Sequence, residues 1–202
     1  MPKVLSESEI ANFRERLIDA AERLFAEKGL EAVSLRQLAG DLGVSAMTPY
    51  RYFRDKDEML AAVRARGFDR FAEALETAFA RPGTPDERAA AASDAYVRFA
   101  LDHPAAYGLM FDLNQPTEGD YPDLVRALLR AKKTMTAHVE LLLAEGRIAG
   151  EPIVLAHAFW AALHGLVMLK LSGKLAVEVD FDAVRRTLSS ALARGVRPGA
   201  RS

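Results

Sequence analysis

The chain of 202 residues contains no cysteine. This absence excludes disulfide bonds, thiolate nucleophiles and cysteine-ligated zinc, and it fits a reducing cytoplasm. Neither sign of charge is in excess, because 27 basic residues stand against 28 acidic ones. The protein as a whole therefore does not attract nucleic acid or an acidic membrane, and binding of a polyanion requires a local patch.

Neither a signal peptide nor a membrane span is expected from the sequence. The start MPKVLSESEI lacks the apolar core of a signal peptide. The most apolar stretch, residues 153–169, is short for a bilayer and carries His157 and His164, so we interpret it as a buried helix. We expect a cytoplasmic protein without a membrane partner.

Motifs of the common enzyme classes are also missing. The sequence has no glycine-rich phosphate loop, no nucleophile elbow and no carboxylate–histidine cluster with metal spacing. His157 and His164 lie seven residues apart, and no third ligand has suitable spacing. We therefore predict a protein that is not an enzyme and that uses neither a metal nor a cofactor.

What the sequence does contain is a helical pattern along nearly the whole chain. Apolar residues recur at three- and four-residue spacing, and capping boxes mark helix starts at Ser6, Ser34 and Thr84. Asp55 with Glu58 marks a further start. We predict an all-α fold of about nine helices. The predicted ranges are 6–28, 34–42, a very short helix capped by Ser45, 56–80, 84–103, 104–113, 123–144, 152–171 and 181–194.

Residues 35–53 have the spacing of a helix-turn-helix motif, with a helix of about eight residues, a glycine turn and a second short helix. The residues predicted to face inward are Leu35, Leu38, Ala39, Leu42, Val44 and Pro49. Those predicted to stay outside are Ser45, Ala46, Met47, Thr48, Tyr50 and Arg51. Small and amphipathic side chains suit the floor of a major groove, and the charges between residues 34 and 56 sum to +2.

Two interpretations of this exposed set remain open. In the first, Tyr50 and Tyr52 reach phosphates with their hydroxyls, and Lys56 does so with its charge and with main-chain N–H groups at a helix start. In the second, the aromatic residues pack a small helical core and the arginines form ordinary solvated surface.

The segment LIDAAERLFAEKGLEAVSLRQLAGDLGVSAMTPYRYFRDKDEML, with its flanks from residue 10 to 62, resembles the N-terminal DNA-binding domain of TetR-family transcriptional regulators. Arg36 would then be a base reader, and Pro49, where the family more often has leucine, can alter the angle of the helix in the groove. The resemblance implies DNA contacts by Ser34, Arg36, Ser45, Ala46, Met47, Thr48, Tyr50, Tyr52 and Lys56; we add Arg51 from the helix-turn-helix pattern.

A second resemblance covers the C-terminal half. Trp160, His164 and Gly165, preceded by HPAAYGLMF at 103–111, resemble the WHG-type C-terminal domain of some TetR-like regulators. This resemblance implies a DNA-binding domain at 1–58, linked by the helix 56–80 to a ligand-binding and dimerisation domain at 59–202. The predicted ligand-binding residues are Phe99, Tyr107, Met110, Phe111, Met135, His138, Trp160, His164 and Met168. Alternatively, Trp160 and His164 only pack the core.

Together, the two resemblances imply a homodimeric repressor that binds a pseudopalindromic double-stranded DNA operator. A small, largely apolar effector in the C-terminal domain would release it. Two other classes stay open: an enzyme, which turnover of a candidate ligand would reveal, and a protein-binding helical module that has lost DNA recognition.

Overall fold

A computed structural model describes residues 6–112 and 118–199. All regular structure in these ranges is helical, so the predicted all-α fold is confirmed. The described α-helices are α1 (Glu7–Lys28), α2 (Leu35–Asp41), α3 (Lys56–Phe79), α4 (Pro85–Asp102), α5 (Pro104–Met110), α6 (Pro122–Ala144), α7 (Pro152–Leu171) and α8 (Phe181–Gly195), and two 3-10 turns are formed by Pro49–Arg51 and Glu118–Asp120.

The predicted helix starts agree with the structure because they depend on local hydrogen bonds. The side chains of Ser6, Ser34 and Thr84 each accept the N–H three residues later, and each of the three capping boxes is reciprocal. The predicted ends differ slightly. Helix α5 ends at Met110, short of the predicted residue 113, which lies outside the described residues, and α8 includes Gly195.

The predicted third helix is a single 3-10 turn, which reduces the expected nine α-helices to the eight described. The turn is closed by the N–H of Tyr52, which donates to the Pro49 carbonyl at 3.0 Å. The predicted cap at Ser45 is wrong, because the N-cap position belongs to Thr48, which makes no side-chain cap hydrogen bond. The element begins at Pro49, whose fixed φ suits a first position and whose missing N–H would be unpaired there.

The chain divides into two compact units. Unit 1 comprises Met1–Phe68 and Ala105–Leu128, and unit 2 comprises Asp69–Pro104 and Leu129–Ser202. These limits differ from the predicted boundary after residue 58, because unit 1 takes in more of α3, all but the first residue of α5, and the start of α6. The boundary at residue 58 stays a prediction of where the DNA-binding domain ends and the ligand-binding and dimerisation domain begins.

Unit 1 is built on the apolar face of α1. Leu17 and Leu24 of this face are buried together with Leu38 of α2 and Met59 of α3, and Phe53, which precedes α3, belongs to the same cluster. Close polar contacts surround this core. On α3, the Arg66 guanidinium pairs with Asp19 and Glu22 of α1, and the buried Arg64 donates to Glu118 at 2.8 Å.

Unit 2 has a core formed mainly by α4, α6 and α7. Phe71 meets the rings of Tyr96 and Phe99 edge-on, with ring centroids 5.3 and 5.4 Å apart. Val139 and Leu155 belong to a second buried cluster. Helix α7 also contacts α8, which has no buried residue among those described.

Helix α7 is long and apolar enough to cross a membrane by length and composition, yet only 22% of its most apolar window is buried in the single chain. The prediction of a buried helix is therefore wrong for one copy of the chain. Composition alone does not distinguish a core helix from one whose apolar surface faces outward. The large apolar side chains exposed on α7 are Ile153, Val154, Met168 and Leu169.

Two exposed glycines of unit 1 predict opposite effects on stability. Gly43 has a φ of 65°, where a Cβ atom is strained, whereas Gly40 lies in α2 with open space around its Cα. We expect Gly43→Ala to lower the free energy of unfolding by about 1 to 2 kcal/mol, and Gly40→Ala to raise it by about 0.5 to 1 kcal/mol. Urea unfolding of the two variants measures both values, and equal effects would contradict the assigned backbone conformations.

Candidate nucleic-acid interface and ligand cavity

The residues between α2 and α3 present a group of side chains to solvent. Pro49 is buried, as predicted, and so holds the 3-10 turn against the core of unit 1. Thr48 beside it is half-buried. Met47 is 67% exposed and Tyr50 is 46% exposed. We call the exposed set the head surface; it consists of Ser45, Ala46, Met47, Tyr50 and Arg51.

The turn that precedes the head surface depends on a glycine. Gly43, with a φ of 65°, lets the chain reverse after α2, and the N–H of Val44 then donates to the Ala39 carbonyl at 2.9 Å. At the other end of α2, Ser34 is an exposed N-cap and Arg36 is exposed beside it. The helix-turn-helix spacing read from the sequence is therefore present, with a 3-10 turn in place of the second helix.

Two of the predicted DNA-contacting residues also have structural partners. Tyr52 is half-buried, and its ring lies 5.2 Å from that of Phe13. The Lys56 ammonium donates to the Leu30 carbonyl at 2.9 Å, which ties the beginning of the α1–α2 loop to the start of α3. An ammonium has three N–H groups, so this bond alone does not prevent a contact with a phosphate.

The ion pairs in the structure distribute the positive charge of residues 34–56 differently from the net charge of +2 that was counted in the sequence. Asp41 pairs with Arg23 of α1, which the window 34–56 does not include. Asp55 pairs with Arg54 at 2.9 Å, and this bond, with the N–H of Glu58, holds the pKa of the Asp55 carboxyl below its usual value. Among the described residues, no carboxylate lies within ion-pair distance of Arg36 or Arg51. These two arginines, together with Lys56, whose ammonium binds a neutral carbonyl, therefore carry the uncompensated charge.

The combination of arginines without a carboxylate partner, an exposed tyrosine and small or apolar side chains suits the chemistry of double-stranded DNA. Arginine and tyrosine side chains bind phosphates, while small or amphipathic side chains such as Thr48 and Met47 contact base edges and thymine methyl groups. The exposed arrangement thus suits the DNA-binding interpretation better than the core-packing one, since Met47 and Tyr50 bury little of their surface in the chain itself.

Unit 2 contains a small cavity between α3, α4, α6 and α7, which we call the unit 2 cavity. Its volume is about 30 Å³, enough for one or two water molecules. Three of the nine predicted ligand residues, Met135, His138 and Trp160, lie in its wall. The full lining is Leu75, Ala92, Ser93, Tyr96, Met135, His138, Ala156, Phe159, Trp160 and Leu163.

The other predicted ligand residues lie elsewhere. Tyr107, Met110 and Phe111 belong to unit 1, where Tyr107 is buried and its ring lies 4.9 Å from that of Phe111. Phe99 lines a separate open groove in unit 2.

The last two predicted ligand residues, His164 and Met168, lie on α7 and are not part of the cavity lining. The His164 ring lies 5.8 Å from that of Trp160, and Met168 is 40% exposed.

Sequence reasoning missed Ser93 and Tyr96 as residues of the cavity lining, although their three-residue spacing on α4 places them on one helix face.

Polar groups in the cavity wall are few. The Trp160 Nε1–H donates to the Tyr96 hydroxyl at 3.1 Å, so these two aromatic side chains of the cavity wall are hydrogen-bonded to each other. His138 lies 6.4 Å from the Phe159 ring, and its Nδ1 atom is buried without a hydrogen-bond partner. Among residues 6–112 and 118–199, no group of three His, Cys, Asp or Glu side chains could hold a metal ion.

Burial controls the charge of His138. It lowers the pKa of the ring to about 4, and the main-chain carbonyl of Thr134 acts weakly in the opposite direction. Burial also lowers the pKa of His164. His138 is therefore a neutral imidazole at pH 7, with one N–H donor and one acceptor nitrogen.

Known protein families match both parts of the chain. Residues 17–63 match the family described as bacterial regulatory proteins, tetR family. Residues 89–192 match the tetracyclin repressor-like, C-terminal domain. The first range includes every predicted DNA-contacting residue, and the second includes the whole lining of the unit 2 cavity except Leu75.

Individual relatives agree with these matches. An uncharacterised HTH-type transcriptional regulator of Mycobacterium tuberculosis is 27% identical over 183 residues, which are 91% of this chain and 81% of that protein. The HTH-type transcriptional repressor KstR of Mycolicibacterium smegmatis is 36% identical over 90 residues, 42% of this chain and 44% of that protein. A solved structure of a protein with unknown function from Rhodococcus sp. RHA1 has a TM-score of 0.81 at 30% identity, covering 98% of this chain and 100% of that one.

The depressed pKa of His138 predicts a loss of stability in acid. An unfolded histidine binds a proton below about pH 6.5, whereas folded His138 does so only near pH 4, so the free energy of unfolding falls as the pH drops through this window. We expect His138→Leu to remove up to about 3 kcal/mol of that loss in urea unfolding at pH 7 and pH 4. His157→Leu, a change at an exposed ring, is the control. Equal acid sensitivity of His138→Leu and the unmodified protein would contradict the burial argument.

Proposed function

Since the chain belongs to the TetR family of bacterial regulatory proteins, we propose that it is a repressor released from DNA by a small effector. Family membership itself makes it a DNA-binding transcriptional regulator rather than an enzyme. The proposed repressor binds a pseudopalindromic operator as a homodimer and leaves it when a largely apolar effector occupies the unit 2 cavity. A protein with this function works in the cytoplasm.

The head surface is the observation that carries the DNA-binding part of the proposal. Burial of Pro49 directs Met47, Tyr50 and Arg51 outward, and no described carboxylate neutralises Arg51. In the proposed complex, Met47 and Thr48 meet base edges and Arg36 reads a base. Phosphates are bound by Tyr50, Arg51, Tyr52 and Lys56, while Ser34, Ser45 and Ala46 line the contact.

A homodimer would cover the exposed apolar surface of α7 and α8. Ile153, Val154, Met168 and Leu169 of α7 each expose at least 40% of their surface, and α8 has no buried residue among those described. Contiguous exposed apolar surface marks an interface, and a second copy of the chain offers a matching one. Two heads related by a two-fold axis would read half-sites about 34 to 36 Å apart.

Release by the effector requires a difference in affinity between two states of the dimer. The effector shifts the population only as far as it prefers the state that does not bind DNA, which for such coupling is typically about 1 to 3 kcal/mol. KstR, a relative named as a repressor, supports the choice of repression over activation.

The role of Arg51 predicts a specific change in DNA binding. We expect Arg51→Ala to weaken binding to DNA from upstream of the chain's own gene and to lower the slope of log affinity against log salt by about 0.9, because one phosphate contact is lost. Arg81→Ala is the matched control, since it removes an exposed arginine of unit 2. Fluorescence anisotropy at several salt concentrations measures both quantities.

The same titration, with random DNA as competitor, tests the function as a whole. Tight binding that resists the competitor supports a sequence-specific regulator. Binding that the competitor abolishes, together with equal salt slopes for Arg51→Ala and Arg81→Ala, would contradict the assignment of the head surface to that DNA.

The proposed dimer interface predicts an effect of charge on assembly. Leu169→Lys places an ammonium in the interface, and we expect it to weaken dimerisation by tenfold or more because burying an unpaired charge is unfavourable. Leu129, which is 61% exposed on α6, gives the control Leu129→Lys. Analytical ultracentrifugation distinguishes the two. Dimers of unchanged affinity in Leu169→Lys, or attachment of the unmodified protein to lipid vesicles through α7, would contradict the proposed interface.

A further inference from the structure

We infer that the effector is an uncharged, phenol-like molecule about the size of one ring, which donates a hydrogen bond to His138 in the unit 2 cavity. This inference rests on the effector-released function proposed above and identifies the chemistry of that effector. It depends on three properties of the cavity: its charge, its unpaired hydrogen-bonding group and its size.

The cavity lining contains no residue whose charge could pair with that of an ionic ligand. None of its ten residues is Asp, Glu, Lys or Arg, on any of the four helices that contribute to it. His138 is the lining group that could become cationic, and burial keeps it neutral at pH 7. An anion or a cation would therefore lose its hydration without gaining a partner, which strongly disfavours charged ligands.

His138 offers an acceptor that the protein leaves unused. A neutral imidazole has one donor and one acceptor nitrogen. The main-chain group that acts on the ring is the Thr134 carbonyl, itself an acceptor, and no described residue donates a hydrogen bond to the ring. The acceptor nitrogen is thus satisfied only by a donor from outside the chain, such as a hydroxyl group.

The rest of the lining suits the body of an aromatic molecule. Phe159 and Trp160 supply aromatic surface, and the hydrogen bond between Trp160 and Tyr96 is made within the protein. Ser93 is the remaining lining residue with a polar side chain. Orientation of the ligand therefore depends chiefly on His138.

The volume limits the size of the ligand. A cavity that holds a benzene ring measures about 150 Å³, whereas this one measures about 30 Å³. Binding must therefore displace part of the lining. Met135, unbranched and half-buried, is the side chain best able to move, and its displacement makes room for one ring more readily than for a larger ligand.

Three matched compounds test the inference: para-ethylphenol, para-ethylanisole and para-ethylbenzoate. They share one ring and one ethyl group, but the ether has no donor and the benzoate is charged. Trp160 is the one tryptophan of the chain and lies in the cavity wall, so its fluorescence reports binding to the full-length protein. We expect the phenol to bind about tenfold tighter than the ether, and the benzoate to bind weaker than both.

Substitution of His138 then assigns the difference to one residue. We expect His138→Leu to reduce the affinity for the phenol to that for the ether and to leave the ether unaffected, while His157→Leu changes neither. Equal binding of phenol and ether, tighter binding of the benzoate, or no binding of the phenol to the unmodified protein would each overturn the inference. If His138→Leu does not fold, the three compounds on the unmodified protein decide.

Operator affinity, measured by anisotropy on the same preparation, separates this inference from the proposed function. Operator binding without any response to the phenol overturns the assignment of the effector and leaves the DNA-binding function intact. A protein that binds the phenol but no operator contradicts the proposed repressor function instead.

Discussion

Burial of Pro49 and Phe53 in the core of unit 1 determines the direction of the side chains that precede α3. Phe53 is 1% exposed, and the Arg14 guanidinium lies 5.3 Å from its ring centroid, so α1 holds this segment from one side. With two fixed points four residues apart, Tyr50 and Arg51 between them must point to solvent. The proposed reading of DNA follows from this packing of apolar groups rather than from a net positive charge.

In the unit 2 cavity burial has a different consequence, because it keeps a titratable side chain uncharged instead of directing side chains to solvent. There the lining contains no charged residue, and burial disfavours the charged form of its one titratable imidazole, which stays neutral at pH 7. The ring nitrogen of His138 that acts as acceptor is paired by no described residue, so its partner is a donor from outside the chain, either water or a ligand. A ligand with a suitable donor would supply that hydrogen bond, which would add to the apolar contacts that the aromatic lining provides.

Local signals in the sequence were sufficient for much of the fold. The capping boxes at Ser6, Ser34 and Thr84 need only residues three apart, and all three form. Contacts between distant residues were not predictable: Lys56 meets Leu30, and Arg64 meets Glu118, only once the helices pack. The lining of the cavity comes from four helices, so the sequence indicated only members with distinctive chemistry and missed Ser93 and Tyr96. Composition likewise could not tell the exposed surface of α7 from a core.

The central claim is that two copies of the head surface read two half-sites of one operator. Selection of bound fragments from the genome, followed by hydroxyl-radical footprinting of the best fragment, tests it most directly. The account predicts two protected segments on one face of the DNA, with centres about 34 to 36 Å apart and sequences that form an inverted repeat. Protection of a single segment, or uniform protection without a sequence in common among the fragments, would contradict it.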